Sequence, residues 1–122
     1  MKGYFFDSYA IIELIKGNEK YDFIKESLII TSAMNLAEVY YALLIEGHRD
    51  IGDKIINSLN VELIELTSEI ALKSALFRFK NKKSELSYID CMGYILALDN
   101  NLLFLTGDKG FEFMENVEFV KK

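Results

Sequence analysis

Proline and tryptophan are absent from this sequence, and cysteine and histidine occur once each, as Cys91 and His48. A single cysteine excludes an intrachain disulfide and any thiolate cluster for zinc or iron–sulfur. A single imidazole excludes multi-histidine metal sites, and His48 reads as an exposed loop residue in the turn-like run Glu46-Gly47-His48-Arg49-Asp50. Long apolar runs are lacking too: stretches such as Tyr94 to Leu98 fall far short of the about 20 residues that cross a bilayer. No apolar segment with a small-residue cleavage site follows Met1-Lys2-Gly3, so no signal peptide is expected, and the chain reads as cytoplasmic with no membrane partner. No Pro-, Gly- or Ser-rich tract and no internal repeat divides the sequence, so residues 1–122 are expected to form a single domain.

What is present is enough apolar material for one core, since hydrophobic residues make up 51% of the chain. The formal charge of −5 argues against non-specific nucleic-acid binding through a basic surface. It does not argue against a nuclease, because acids gathered as metal ligands make such an enzyme acidic until cations bind.

Short buried-type runs alternate with helical patterns along the chain. Gly3 to Phe6 reads as a strand, Ser8 to about Ile15 as a helix ended by Gly17, and Lys20 to Glu26 as a second short helix. Leu28 to Thr31 is a strand, and Asn35-Leu36-Ala37-Glu38 matches a capping box opening a long helix. Leu36, Val39, Tyr40, Leu43 and Leu44 form that helix's apolar stripe, with Glu38 off the stripe in the first turn. A helix over Ile51 to Leu59 and a strand over Val61 to Leu66 follow. Thr67 caps a helix whose Leu72, Ala75, Leu76 and Phe79 are expected to face inward. Lys80 to Glu85 is a polar surface loop, Ser87 to about Asn100 a helix, Leu102 to Leu105 a strand, and Val117 to Val120 a weak last strand. This order predicts an α/β domain with a parallel sheet covered on both faces. Right-handed crossovers then bring strand C-termini and helix N-termini to one edge, where open α/β sheets place their ligands.

Four carboxylates are expected at that edge. Asp7 and Asp108 follow the first and fourth strands, while Glu38 and Asp90 lie near the starts of helices opening there. Asp90 reaches the edge if the Lys80–Glu85 loop carries the chain back across the sheet. Each acid alone has a structural explanation as an N-cap, a first-turn acid or a turn residue. Together they are like charges whose clustering costs stability unless a cation compensates. An all-oxygen set selects a hard cation, Mg²⁺ or Mn²⁺, and phosphodiester chemistry by a metal-activated water with no side-chain nucleophile. Cys91 reads as a small buried filler. Lys80, Lys82 and Lys83 are open to two readings, phosphate contacts or a solvated loop, and Tyr40, Tyr41, Tyr88 and Tyr94 to base stacking or packing.

The strand followed by Asp7-Ser8, the helical Glu38, Leu86-Ser87-Tyr88-Ile89-Asp90-Cys91 and Leu105-Thr106-Gly107-Asp108-Lys109-Gly110-Phe111 together resemble a PIN domain, over essentially the whole chain. The small size resembles VapC-type toxins of prokaryotic toxin–antitoxin modules. The resemblance implies a three-layer α/β/α fold with a central parallel sheet of four to five strands. It also implies Mg²⁺- or Mn²⁺-dependent RNA cleavage leaving 5′-phosphate and 3′-hydroxyl ends. Asp7 and Asp90 would be direct metal ligands, Glu38 and Asp108 the remaining site acids, and Ser8 and Thr106 supporting or phosphate-binding hydroxyls. A protein antitoxin and a homodimer are the implied protein partners. Tyr9 departs from the family's small or amide residue, and Gly110 from a further acid. Receiver domains and Asp-x-Asp phosphatases do not fit, because Tyr9 occupies the second acid's place. A PIN-like scaffold that binds RNA or protein without turnover stays open.

Overall fold

Consecutive residues of a strand face opposite ways, and Phe5 and Phe6 show what this does here: both are buried, in different cores. The computed structural model describes residues 3–47 and 49–121, so His48 lies outside the described residues. Strands β1 (Tyr4–Phe6), β2 (Ile29–Thr31), β3 (Val61–Leu63), β4 (Leu103–Thr106) and β5 (Val117–Phe119) form one sheet in the order β3-β2-β1-β4-β5. All four pairings are parallel. Helices α1 (Ser8–Ile15), α2 (Ala33–Ile45), α3 (Arg49–Ser58), α4 (Ser68–Lys80) and α5 (Tyr88–Asp99) make the connections, with 3₁₀ segments at Glu19–Ile24, Lys82–Ser84 and Lys109–Phe111.

One core joins Phe5 and Phe104 to Ile70, Cys91, Tyr94 and Phe111, beneath α4 and α5. The other joins Phe6 and Leu105 to Ala10, Ile11, Tyr21, Val39 and Leu43, beneath α1 and α2. The result is the expected three-layer α/β/α arrangement with a five-stranded parallel sheet. The chain leaves β1 toward β2 and β3 on one side, then returns to β4 on the other. That reversal opens a crevice at the strand C-termini between β1 and β4.

Three local expectations are corrected. The residue capping α2 is Ser32, whose hydroxyl accepts from Asn35 N–H, so the helix begins before Asn35 and Glu38 lies in its second turn. Glu38 is therefore beyond the reach of first-turn dipole stabilisation. Helix α4 is turned the other way: Ile70 and Ser74 are buried, while Leu72, Leu76 and Phe79 are exposed. Ser74 can occupy the inner face because its hydroxyl donates to the Ile70 carbonyl, and Phe77 stacks on Tyr94 at 4.9 Å between centroids. Finally, β3 ends at Leu63: Ile64 N–H still donates to the Thr31 carbonyl at 2.9 Å, and Glu65 and Leu66 continue outside the sheet. Among the described residues no helix is long and apolar enough to cross a membrane.

Candidate active site

Asp7 leaves the central strand with an extended backbone (φ −64°, ψ 157°) and caps α1. Its Oδ1 accepts from Ser8 N–H at 2.9 Å and its Oδ2 from the Thr106 hydroxyl at 2.7 Å. The side chain is 2% exposed. Burial pushes its pKa from 3.8 up to about 7; the Thr106 hydrogen bond opposes this, and the charges of Asp90 and Glu38 add to it. Thr106, on the neighbouring β4, is fully buried and also accepts from Asp108 N–H at 3.1 Å, tying together the residues that follow the two strands.

The Ser8 hydroxyl donates to Glu38 Oε1 at 2.6 Å and accepts from Asn35 Nδ2 at 2.9 Å. Asn35 is fully buried, and its Oδ1 accepts from Ser32 at 2.6 Å. This serine–amide–serine chain holds Glu38 toward α1. Sequence reasoning missed Asn35 as a site residue. The available signal is its phase: positions 35, 39 and 43 share one helix face, so an amide stands where the core expects an apolar side chain.

Asp90 enters from α5, whose first turn does reach the same edge. Its Oδ2 accepts from Ser87 N–H at 2.9 Å while Ser87 Oγ accepts from Asp90 N–H, a reciprocal capping box. Burial raises the Asp90 pKa and the Asp108 charge adds to this, against the lowering effect of the Ser87 bonds. Asp108 Oδ1 accepts from Gly110 N–H at 2.9 Å.

Asp7, Ser8, Glu38, Asp90 and Asp108 line one cavity of about 370 Å³, with Tyr9, Ile12 and Tyr41 on its walls. Thr106 stands behind Asp7 rather than on the cavity wall. Among the described residues no lysine or arginine forms an ion pair with these four acids. Nor, as placed, do three or more His, Cys, Asp or Glu side chains form a group ready to hold a metal ion. The carboxylates instead spend oxygens on neighbouring hydroxyls and amides, while Asp90 and Asp108 each keep one oxygen outside these bonds. An all-oxygen donor set around a buried, uncompensated carboxylate nevertheless suits a hard divalent cation. Cys91 is buried in the core, and burial pushes its thiol up to about 11, which leaves it inert.

Two glycines fit the β4 turn closely. A Cβ on Gly110 would come within 2.5 Å of Leu86 Cδ2, so this chain has no room there for an acid without a shift. A Cβ on Gly107 would lie 2.2 Å from the Tyr9 ring and 2.5 Å from the Val120 carbonyl oxygen. Gly107→Ala should therefore cost about 1–3 kcal/mol by overpacking. Urea melts that coincide with wild type would show that the turn gives way freely.

The sequence model of the PIN domain matches residues 4–116. No curated protein matches the sequence. Among solved structures, a toxin–antitoxin complex from Klebsiella pneumoniae superposes with a TM-score of 0.75 at 19% identity, covering 99% of this chain and 100% of that one. A sarcin–ricin loop cleaving VapC toxin of Mycobacterium tuberculosis gives 0.76 at 14% identity, over 98% and 100% of the two chains. A VapBC complex from nontypeable Haemophilus influenzae gives 0.73 at 19% identity, over 97% and 96%. At such identities the likeness is one of fold.

Proposed function

Because this chain belongs to the PIN-domain family, we propose that it is a divalent-metal-dependent endoribonuclease, the toxin of a toxin–antitoxin pair acting in the cytoplasm. The observation that carries the reading is the convergence of Asp7, Glu38, Asp90 and Asp108 on one cavity at the sheet's switch point, with no lysine or arginine among the described residues ion-paired to them. Clustered carboxylates lower stability, so a fold that keeps three of them around the buried Asp7 is built for a counter-charge supplied from outside.

Asp7 and Asp90 are the direct ligands in this reading, with Glu38 and Asp108 completing the acidic lining. When bound, Mg²⁺ or Mn²⁺ supplies a water acidified for attack on phosphorus and positive charge for the leaving oxygen. Thr106 fixes the Asp7 carboxylate by donating to Oδ2, and Ser8 fixes Glu38. The capping box fixes Asp90 by its Oδ2, which leaves Oδ1 for the cavity. A protein antitoxin and a homodimer belong to the same proposal. Toxin–antitoxin complexes among the structural neighbours support it, as do Tyr41, Leu44, Ile45 and Ile51 exposed on α2 and α3.

The test is cleavage of a panel of structured RNAs with Mg²⁺, Mn²⁺, Ca²⁺ or EDTA. Cleavage is expected with the first two and none with EDTA. Ca²⁺ should bind yet support little turnover, because its larger and looser coordination misplaces the attacking water. Full cleavage in EDTA would overturn the reading, and RNA binding without cleavage under any metal would favour a silent scaffold.

A further inference from the structure

Four of the chain's fourteen lysines and arginines fall within residues 78–83: Arg78, Lys80, Lys82 and Lys83. Among the described residues none of them is ion-paired, since the salt bridges there use Lys16 and Lys73. The end of α4 and the 3₁₀ segment after it fold part of this group around a cavity of about 300 Å³, lined among others by Arg78, Phe79, Lys82, Glu85, Leu86 and Tyr88. Arg78 Nε donates to the Leu86 carbonyl at 2.8 Å, and its guanidinium carbon lies 4.3 Å from the centre of the Tyr88 ring. Lys82 Nζ stands 5.3 Å from the centre of the Phe79 ring. Both rings are largely exposed, Tyr88 at 51% and Phe79 at 69%. Glu85 is the one acid in the lining, against two cations.

The cavity's position relates it to the carboxylates. A Cβ on Gly110 would meet Leu86, the Ser84 carbonyl and Asp108 Oδ1 together, so the 84–86 segment packs against the Asp108 turn while also bordering this cavity. A single loop thus separates the two cavities. Tyr88 and Asp90 are two residues apart on α5 and so point about 200° apart around it, one toward each cavity.

We infer that the Arg78–Lys82–Tyr88 cavity is a nucleotide subsite for single-stranded RNA flanking the scissile phosphate. The inference rests on the ribonuclease reading above. A base stacks on the exposed Tyr88 or Phe79 ring while Arg78 and Lys82 take the adjoining phosphate. The acidic side chains of a peptide would satisfy the two cations but carry no ring to stack, whereas one nucleotide supplies both a phosphate and a base, so a nucleotide is the better complement.

Binding of a fluorescein-labelled single-stranded oligoadenylate, read by anisotropy in EDTA over a salt titration, tests this. Tyr88→Ala should weaken binding about tenfold, the scale of one lost base stack, with the salt dependence unchanged. Tyr88→Phe should retain the affinity. Lys82→Ala should flatten the slope of log affinity against log salt by about 0.7, the signature of one lost phosphate contact on a single strand. Circular dichroism monitors folding, and if Tyr88→Ala does not fold, Phe79→Ala and the exposed Lys82→Ala carry the test. Variants that bind as wild type does, or a wild type that cleaves RNA without affinity for the oligonucleotide, overturn the subsite and leave the ribonuclease reading standing. A wild type that neither binds nor cleaves any RNA removes the ribonuclease reading, and the subsite with it.

Discussion

Asp7→Asn should reduce RNA cleavage by about a hundredfold or more, while making the metal-free protein more stable at pH 8. The first effect follows from the proposed role, since a group that holds charge against the reacting phosphate contributes on that scale. The second follows from burial. The Asp7 pKa rises from 3.8 to about 7 on folding, so the folded protein holds an extra proton between those values. Its contribution to stability is fully present below about pH 4 and is lost as pH rises through about 7. Roughly three pKa units correspond to a penalty on the order of 4 kcal/mol above that range. Asparagine carries no such charge and keeps an oxygen to accept from Ser8 N–H. Its Tm in EDTA should therefore exceed that of wild type by several degrees at pH 8, with the gap closing toward pH 4. Excess Mg²⁺ should raise the wild-type Tm and the variant's much less. A variant that melts lower than wild type at pH 8 and still cleaves RNA would make Asp7 a helix cap and nothing more.

Phe104→Ala should cost about 3–5 kcal/mol, a large share of the 5–15 kcal/mol that stabilises a typical domain. The ring is fully buried at the centre of the β4 face, 4.8 Å from Phe111, 5.7 Å from Tyr94 and 6.0 Å from Phe5 between centroids. Each neighbour belongs to a different element, so the void cannot be closed by moving one segment. Urea unfolding should show a lower midpoint at an unchanged slope. Since β4 leads into Thr106 and Asp108, activity should fall with the folded fraction as temperature rises. A loss below about 1 kcal/mol would mean that the core collapses around the gap.

The difference between these two sites shows what was legible in the sequence. Asp7 and Asp108 stand out because each follows a short, strongly apolar strand, and parallel strands send their ends to one edge. The sequence also points to Asp90 through the Ser87 cap, and the capping box occupies only Oδ2 of a carboxylate that also lines the cavity. The face of α4 was not legible, because residues 70, 74 and 77 and residues 72, 76 and 79 both repeat at helical spacing, and Ser74 makes the true inner face look polar. Hydrophobicity alone selects the wrong one. Asn35 was hidden in the opposite way: read as the start of a helix, it is an interior amide that joins Ser32, the cap of its own helix, to Ser8, 27 positions earlier on α1. The strand order was not legible either, since nothing in a strand's composition names its neighbour.

That order places β1 in the middle, beside a strand made about a hundred residues later; the Thr106 hydroxyl that steadies Asp7 is 99 positions downstream. During synthesis Asp7 and Glu38 leave the ribosome well before Asp108 and the strand that precedes it. A nascent chain therefore carries half of an acidic site next to an unpaired strand edge and cannot assemble the rest. Pairings so distant in sequence also form slowly. For a protein proposed to cut RNA this delay has a use: until those later residues are made the chain cannot cut the RNA around it, and a free partner has that interval in which to meet it.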